Sequence, residues 1–393
     1  VYTGYQFGNY YRINRATGKN TYIQPKHTLG ETPYRFNWQT PIHLSKHNQD
    51  ILYLGGNKLH RSLNKGETWE TISGDLTTGG KKGNVAYGTL TSISESPFQF
   101  GVIYVGSDDG YINVTKNGGG SWTRISNDLP KNLWVSRVIA SKHKKERVYA
   151  TLNGYRFDDF TSYMYVSDDY GQTWKSISSN IPISAVNVVK EDPANENLLY
   201  AGTDNGVYVS LNSGASWEVF CKNVPNVAVH DLVIQPTAKH LIIGTHGRSL
   251  YKADIAPLQK MTEDVLLKKT HVFAIKSIRK NTSWGSSWSP WRKANTPEMT
   301  IPFYSNSTKK VMVAIFKDEI KVNTMTVAAD KGYNEVIFDV SYSKKGKRAF
   351  EKSNRKKGSE TDILKAAKNG VFYLPKGKYV VKIGSAESSF EVR

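Results

Sequence analysis

The sequence predicts an all-β chain, with a β-propeller of six visible units followed by a small immunoglobulin-like β-sandwich. Aromatic residues make up 12% of its 393 residues, and it contains 23 Tyr and 32 Gly, which is typical of turn-rich β proteins. Apolar residues occur in short alternating runs, far below the roughly 18 consecutive residues of a membrane-spanning helix. An octapeptide also recurs four times, as expected for a repeat architecture.

The octapeptide has a hydroxyl residue first, Asn or Asp third, Gly fifth, Ser or Thr seventh and Trp eighth. An Asn or Asp followed by Gly favours a tight turn, and the Trp offers a large surface that can pack between neighbouring sheets. A catalytic centre is asymmetric and is normally built once, so we interpret the octapeptide as a structural fastener. Its copies are SLNKGETW (62–69), TKNGGGSW (115–122), SDDYGQTW (167–174) and SLNSGASW (210–217).

Three short alternating runs precede each copy, so each unit is predicted to be a four-stranded meander. Before the copy at 210–217, for example, the chain reads AVNVVKEDPANENLLYAGTDNGVYVS. A last unit at 229–254 has three strands and no octapeptide. The opening VYTGYQFGNYYRIN resembles the second and third strands of a unit that lacks its first strand. We therefore expect the propeller to occupy residues 1–256.

The rest of the chain divides into a connecting segment and a second β domain. A short helix is expected to begin near Pro257, and a Trp-rich stretch with Trp284, Trp288 and Trp291 follows, so 257–297 is predicted to be a helix and linker. The three Trp could stack on sugar rings or a partner, or seal the domain interface, which we favour. Residues 298–393 alternate with period two and predict the sandwich, with a helical interruption at 360–370.

The octapeptides resemble the Asp-box (BNR) repeat, with Asn in place of Asp at Asn64, Asn117 and Asn212. The run of units is similar to the bacterial sortilin/VPS10-like, YVTN/BNR-repeat propeller proteins, often labelled "glycosyl hydrolase". The segments WVSRVIASKH, GYRFDDF, VHDLVIQP and GTHGRSLY carry this likeness. The resemblance implies a C-terminal portion of a longer protein that is extracellular or lies at the bacterial cell surface or in the periplasm.

Positive charge is concentrated in the last third of the chain. The net charge is +19, and residues 261–393 hold 26 Lys and Arg against 13 Asp and Glu. The densest run, 343–359, is either a site for an anionic polymer such as lipopolysaccharide, acidic glycan or nucleic acid, or a solvated, partly disordered loop, which we favour. The candidate basic residues are Lys344, Lys345, Lys347, Arg348, Arg355, Lys356 and Lys357.

Other charged residues fall on the inner strands and loops that face a propeller's central channel, where ligands are usually bound. Arg and acid side chains there could hold the hydroxyls or carboxylates of a glycan, or they could form a buried ion network between blades. The candidate binding residues are Arg137, Arg156, Asp158, Asp159, His230, Asp231, His246 and Arg248.

Two function classes remain open at this stage. We prefer a non-enzymatic binding module that presents the propeller to a glycan or an envelope protein. The alternative is a glycoside hydrolase, whose catalytic acids would come from Asp108, Asp158, Asp159, Asp204 and Asp231 and whose inverting pair would lie about 6.5–9.5 Å apart. Asp in such hairpin turns is also expected for backbone reasons alone. We predict no metal and no cofactor, and the single Cys221 predicts a buried thiol without a disulfide.

Overall fold

The computed structural model describes residues 1–82, 86–220, 224–289, 291–356 and 364–393. Cys221 and Lys357, both singled out in the sequence, lie outside these ranges. The chain divides into two compact units, Val1–Gln259 and Lys260–Arg393. Most of the segment expected to be a linker, 257–297, thus falls within the second unit. No helix in the described ranges is long and apolar enough to cross a lipid bilayer.

The first unit consists of six antiparallel sheets that follow one another along the chain, and in each sheet consecutive strands pair as a meander. Sheet 1 contains β1 (Tyr2–Tyr5), β2 (Asn9–Ile13) and β3 (Asn20–Tyr22). Sheet 2 contains β4 (Ile42–Leu44), β5 (Leu52–Gly55), β6 (Leu59–Ser62) and β7 (Glu70–Thr71). Sheet 3 contains β8 (Leu90–Glu95), β9 (Ile103–Ser107), β10 (Ile112–Thr115) and β11 (Thr123–Arg124).

The remaining three sheets repeat this plan. Sheet 4 contains β12 (Trp134–Ala140), β13 (Val148–Gly154), β14 (Asp159–Ser167) and β15 (Lys175–Ser176). Sheet 5 contains β16 (Val186–Glu191), β17 (Leu199–Thr203), β18 (Gly206–Ser210) and β19 (Glu218–Phe220). Sheet 6 contains β20 (Val229–Gln235), β21 (His240–Thr245) and β22 (Leu250–Asp254), and the short helix α1 (Ala256–Gln259) follows it.

The sheets pack face to face as propeller blades. The first strands β4, β8, β12 and β16 each contact the first strand of the next sheet, ending with β20 in sheet 6, so these five strands line a common channel. Apolar clusters fill the space between sheets. A fully buried Tyr occupies the same position in the second strand of sheets 2 to 5, at Tyr53, Tyr104, Tyr149 and Tyr200. The predicted all-β propeller is confirmed.

Each octapeptide closes the turn between the third and fourth strands with its own polar groups. In the copy at 167–174, Ser167 Oγ accepts hydrogen bonds from the backbone N–H groups of Asp169 and Gly171, and Asp169 Oδ1 accepts one from Thr173 N at 2.9 Å. The other three copies make the same bonds, starting at Ser62, Thr115 and Ser210.

The eighth and fifth residues of the octapeptide fasten each sheet to the preceding one. Trp174 Nε1 donates a 2.7 Å hydrogen bond to the carbonyl oxygen of Ile125, which follows the fourth strand of the sheet before. Gly171 packs so closely on the same Ile that an added Cβ would lie 2.4 Å from Ile125 Cδ1. The equivalent Trp–Ile bonds are Trp69 to Ile23, Trp122 to Ile72 and Trp217 to Ile177. The interpretation of the octapeptide as a fastener is confirmed.

These bonds also identify the strands of sheet 1. Ile23, just after β3, accepts the bond that Ile72 and Ile125 accept after the fourth strands of later sheets. β1, β2 and β3 are therefore equivalent to the second, third and fourth strands of a unit. The sequence predicted that the first strand is missing here, and the structure confirms it for the described residues.

The second unit is a two-layer β-sandwich with two short or peripheral helices. One sheet has the order β23-β24-β27 and the other the order β26-β25-β28-β29, and an apolar core that includes Phe303 and Phe338 contains residues of both. Its assignment to the immunoglobulin class stays a prediction. The elements are α2 (Glu263–Leu266), β23 (Thr270–Val272), β24 (Met299–Ser305), β25 (Lys309–Lys317), β26 (Ile320–Ala329), β27 (Gly332–Phe338), α3 (Lys344–Lys356), β28 (Gly377–Ile383) and β29 (Ala386–Val392).

Two expectations for this unit were wrong. The basic run was favoured as a loop, but most of it forms α3, because Phe350 inserts into the core and Gly346 lies against the backbone of Val322. The described part of the predicted helix at 360–370, residues 364–370, is not helical. Of the three Trp residues, Trp284 is buried in the core of this unit, whereas Trp288 and Trp291 are each 90% exposed.

Candidate ligand-binding site

The first strands of sheets 3 to 6 share an irregularity near the channel. In each of them the pairing register shifts by one residue close to the start of the strand. A β-bulge of this kind redirects a side chain out of the ladder. The residues at the bulges are Thr91, Ser136, Asn187 and His230.

The four bulge residues have different contacts. Thr91 and Ser136 each donate a 2.7 Å hydrogen bond to a backbone carbonyl of the next sheet, so they connect neighbouring blades. Asn187 Nδ2 instead donates to Asp204 Oδ1 at 2.8 Å, and His230 stacks on His246 with ring centroids 5.2 Å apart. In sheets 5 and 6, therefore, the bulge residue faces the turn between the second and third strands of its own sheet.

Directly after two of the bulges, Arg137 and Asp231 form an ion pair across the channel. Arg137 Nη2 lies 3.0 Å from Asp231 Oδ1, and the two side chains remain 27% and 52% exposed. Asp231 Oδ1 also accepts a hydrogen bond from Leu232 N. Because both side chains stay accessible, the pair leaves guanidinium N–H groups and one carboxylate oxygen for a ligand.

Arg156 adds an aromatic surface to this end of the channel. It lies in a short 3-10 helix, Tyr155–Phe157, inserted between the second and third strands of sheet 4. Its guanidinium carbon lies 4.0 Å from the ring centroid of Trp134 and 4.5 Å from that of Tyr155. These distances are those of cation–π contacts, which hold the planar guanidinium over the rings.

The same arrangement determines the charge of His230. Burial is the main cause that lowers the pKa of His230, and the neighbouring His246 and Arg156 lower it further, whereas Asp204 opposes the shift. The imidazole is therefore neutral at pH 7 and offers one N–H donor and one acceptor nitrogen. The Asn153 side chain lies next to Asn187, and its Oδ1 is buried with no hydrogen-bond partner among the described residues.

Of the sequence-predicted candidates, the structure brings together Arg137 with Asp231, and Arg156 with His230, His246 and Asp204. Asp158 and Arg248 are exposed on the neighbouring turns. Asp158 caps the 3-10 helix in a left-handed conformation with φ 56°.

Two of the candidate catalytic acids, Asp159 and Asp108, already accept hydrogen bonds from nearby residues. Asp159 accepts hydrogen bonds from Thr161 N and Tyr163 Oη, and these bonds hold the pKa of its carboxyl below its usual range. Asp108 is buried and accepts hydrogen bonds from Gly88 N, Thr89 N, Thr89 Oγ1 and Asn37 Nδ2. Burial raises the pKa of Asp108, but its oxygens already serve as a structural bridge.

Sequence reasoning missed Trp134, Asn153 and Asn187. Trp134 and Asn153 are paired at the start of β12 and the end of β13, and Asn187 is the bulge residue of sheet 5. Aligning the first strands of the units would have shown that this position changes from Thr and Ser to Asn and His. That change is the available signal, because a residue needed only to connect blades would be expected to recur.

The basic helix α3 is a separate surface in the second unit. Lys347 is engaged within that unit, since it pairs with Glu351 at 3.3 Å and lies 3.9 Å above the Phe372 ring. The side chain of Lys356 is not described. Lys344, Lys345, Arg348, Lys352 and Arg355 are exposed. In the described ranges, no group of three or more His, Cys, Asp or Glu side chains is arranged to hold a metal ion.

No family model and no curated protein matches this chain. Among solved structures, the GH74 xyloglucanase from Xanthomonas campestris is 11% identical, with 91% of this chain and 55% of that chain covered and a TM-score of 0.46. The GH74 enzyme from Niastella koreensis is 14% identical, with 97% and 61% covered and a TM-score of 0.47. YCF48, solved with a D1 peptide, is 12% identical, with 63% and 78% covered and a TM-score of 0.42. This chain spans little more than half the length of the GH74 chains.

Proposed function

We propose that the first unit is a non-enzymatic binding module that takes a glycan at the end of the channel where the first strands begin. The observation that carries the proposal is the Arg156 guanidinium held over Trp134 and Tyr155, beside the stacked His230–His246 pair. Aromatic faces combined with a few fixed polar groups are typical of small-molecule sites, where the apolar surface supplies contact and the polar groups set orientation.

The polar groups at this end suit the hydroxyls of a sugar. The half-exposed Arg137–Asp231 pair supplies donors and an acceptor, and the neutral His230 supplies one of each. Asn153 Oδ1 is a buried acceptor without a partner in the described ranges, which is costly unless a donor from water or a ligand reaches it. Together these groups favour a neutral or weakly charged polyhydroxyl ligand.

Binding is favoured over hydrolysis because most of the candidate catalytic carboxylates already accept hydrogen bonds or form an ion pair. A glycosidase needs one carboxyl that stays protonated near neutral pH and a second that is free to act as base or nucleophile. Asp108 and Asp159 are occupied by local hydrogen bonds, Asp204 accepts a bond from Asn187, and Asp231 pairs with Arg137. Asp158 has no side-chain partner in the described ranges but lies on an exposed turn. The glycoside hydrolase therefore stays the second candidate.

The finer expectations from the sequence also stand as proposals. We infer membership of the sortilin/VPS10-like Asp-box group, which the four octapeptides support. With it we infer a location outside the cell, at the bacterial cell surface or outer membrane, or in the periplasm, and an envelope protein as a second partner. The exposed basic residues of α3 support contact with an anionic polymer.

The decisive experiment measures retention and cleavage in parallel. The full chain is run in gels containing xyloglucan, a neutral polysaccharide, and the same mixtures are assayed for released reducing ends. We expect retention without release, with retention weakened at least about tenfold in Arg156→Ala, because it loses the guanidinium that the two rings hold in place.

Arg124→Ala is the matched control, since Arg124 also lies over a Tyr ring, at 4.6 Å from Tyr111, but on the outermost strand of sheet 3. Equal loss of retention in both variants would overturn the assignment of the site. Release of reducing ends that disappears in Asp231→Asn or Asp158→Asn would replace the binding module by the hydrolase.

A further inference from the structure

The opposite end of the channel, where the first strands finish, holds a cavity of about 280 Å³. Side chains from the ends of the first strands, or the turns after them, line it in sheets 2 to 6. Three of these side chains are lysines from three different sheets, Lys46, Lys142 and Lys190. Arg156 and His230 of the site proposed for glycans lie at the other end of these strands, so variants of Arg156 and variants of the lysines test the two regions separately.

The three ammonium groups are close enough to repel one another. Burial is the largest cause that lowers the pKa of Lys190 to about 8, and the charges of Arg137, Lys142 and Lys46 lower it further, whereas Asp231 opposes the shift. The pKa of Lys142 is also lowered, by burial and then by Lys46, whereas Glu191 and Asp192 oppose the shift. No ion pair or hydrogen bond engages any of the three ammonium groups within the described residues. Lys46 and Lys142 are exposed and Lys190 is half-buried, so all three ammonium groups are available to an anion from solution.

The carboxylates at this cavity are already committed to other donors. Glu95 accepts hydrogen bonds from Ser45 Oγ at 2.6 Å and Tyr53 Oη at 2.8 Å. Glu191 accepts the equivalent bonds from Ser141 Oγ at 2.8 Å and Tyr149 Oη at 3.0 Å. Both glutamates are almost fully buried and their oxygens accept hydrogen bonds from the neighbouring sheet, although Glu191 also raises the pKa of Lys142.

Two of the lysines, Lys46 and Lys142, are positioned by the same three-residue motif. The sequence Ser-Lys-His occurs at 45–47 and again at 141–143. In both copies the Lys backbone N–H donates to the glutamate of the next sheet, and His Nε2 contacts a backbone carbonyl of that sheet at 2.9 Å or 2.7 Å. The backbones of Lys46 and Lys142 are thus fixed on both sides, while their ammonium groups are left for something else.

We infer that this cavity binds a small oxyanion of the phosphate or sulfate class, either free or as the terminal group of a larger molecule. A volume of about 280 Å³ lies at the lower limit of ligand pockets and suits one such group rather than an oligosaccharide. Lysine binds phosphate as a point charge, and three ammonium groups can surround a tetrahedral anion without a fixed planar geometry.

The test titrates sodium sulfate, inorganic phosphate and glucose 6-phosphate into the full chain by calorimetry at low ionic strength. We expect one site per chain, and an affinity at least about tenfold weaker in Lys190→Met and in Lys142→Met. Tighter binding of glucose 6-phosphate than of phosphate would show that the ligand is the terminal group of a larger molecule. Tighter binding of phosphate would show that the ligand is the free ion. Lys144→Met is the matched control, since Lys144 is exposed two residues from Lys142 and does not line the cavity.

Sulfate keeps its charge from pH 7 to pH 9, so it also tests the role of Lys190. The other charged or titratable groups that face this lysine or the cavity are Lys46, Lys142, Arg137, Asp231, His43, Glu95 and Glu191. His43 is neutral throughout this range, because burial lowers its pKa to about 4. Loss of the Lys190 proton above about pH 8 should weaken sulfate binding about tenfold between pH 7 and pH 9, and Lys190→Met should lack this dependence.

Thermal unfolding of each variant verifies that it is folded before titration. The inference is overturned if sulfate and phosphate do not bind, or if Lys144→Met weakens binding as much as Lys190→Met does. Neither result would affect the glycan proposal, which depends on Arg156 and the opposite end of the channel.

Discussion

The octapeptide turns and the bulges of the first strands are both repeated in four sheets, but they are repeated in different ways. Every octapeptide makes the same hydrogen bonds, and every one of its Trp residues reaches an Ile carbonyl of the preceding sheet. The bulges keep only their backbone irregularity, while the residues at them change from Thr and Ser to Asn and His. A contact that holds blades together must recur with each blade, whereas a ligand needs different groups from different directions.

The change in the bulge residues follows the order of the sheets along the chain. Thr91 and Ser136 still donate to the next sheet, so sheets 3 and 4 use the bulge for packing. Asn187 and His230 contact polar groups of their own sheets instead. The bulge residues of sheets 5 and 6 therefore lie near Asp231 of sheet 6 and, from sheet 4, Arg137 and Arg156.

The largest effect is expected where the repeated contact is most buried. Trp217 is 4% exposed and its indole N–H donates to Ile177 O at 2.6 Å. Trp217→Ala should lower the free energy of unfolding of the first unit by about 3–5 kcal/mol, because a large cavity forms between sheets 4 and 5. Hydrogen exchange of the amides of sheets 4 and 5 in the native state measures this loss.

Trp38 provides the comparison within the same unit, since its side chain is 58% exposed. Trp38→Ala should cost about 1 kcal/mol or less. Trp217→Phe keeps most of the packing and should cost about 1–2 kcal/mol for the lost hydrogen bond. Similar losses in Trp38→Ala and Trp217→Ala would show that the octapeptide Trp does not fasten the sheets.

A second prediction concerns the two buried glutamates, which link sheets 2 and 3 and sheets 4 and 5 in the same way. Glu191→Gln places an amide NH₂ among the Ser141, Tyr149 and Lys142 donors, so at least one of them loses its acceptor. We expect a loss of about 2–3 kcal/mol in denaturant unfolding, and a similar loss for Glu95→Gln. A loss of stability in only one of the two variants would show that the two glutamates do not contribute equally to the contacts between their sheets.

The features that repeat along the chain could be predicted from the sequence. The candidate site, which does not repeat, could be predicted only in part. The octapeptides predicted the blades and the fastener role, because four copies of the same residue pattern, starting 53, 52 and 43 residues apart, leave one simple interpretation. Arg137, Arg156, His230 and Asp231 were selected because turn geometry does not demand charged residues there. Their partners were not predictable, since the Arg137–Asp231 pair joins residues 94 positions apart. Trp134 and Asn187 resembled ordinary strand residues.

The basic run of the second unit shows the opposite failure. Its composition, with eight basic residues and one acidic residue between 343 and 359, favoured a solvated loop. The structure has a helix there, because Phe350 anchors one face in the sandwich core and Gly346 permits close contact with β26. One buried aromatic residue outweighed the charge of its neighbours, and composition alone does not reveal that.

A third prediction distinguishes two reasons for the Gly at the fifth position of the octapeptide. One is its positive φ, and the other is its close packing against an Ile of the preceding sheet. Gly171 has φ +89°, and an added Cβ would meet Ile125 side-chain atoms at 2.4–3.1 Å. Gly206 has φ +114°, but an added Cβ would have no neighbour within 4 Å. Gly206→Ala should cost about 1 kcal/mol from backbone strain alone, and Gly171→Ala should cost about 1–3 kcal/mol more through the contact with Ile125. Equal losses in chemical denaturation would mean that the Gly is required only for its backbone angle.

The smallest effect is expected at the third position of the octapeptide, where Asp169 differs from the Asn of the other copies. Asp169 Oδ2 accepts a hydrogen bond from Thr173 Oγ1 at 2.7 Å, whereas Asn64, Asn117 and Asn212 donate from Nδ2 to the hydroxyl at the same place. Because the hydroxyl can both donate and accept, Asp169→Asn should change the stability of the first unit by less than about 1 kcal/mol at pH 7.

At low pH, the stability of the natural chain with Asp169 should differ from that of the Asp169→Asn variant. Bonds from the Ser167 and Thr173 hydroxyls and from Thr173 N lower the pKa of Asp169 to about 2, below the value expected in the unfolded chain. The ionised carboxylate therefore stabilises the fold above about pH 4, and this contribution is lost as the pH falls towards 2. Urea unfolding between pH 4 and pH 2 should show a steeper loss of stability for the natural chain than for Asp169→Asn. Parallel pH profiles would mean that the Asp contributes no more than the three Asn already do.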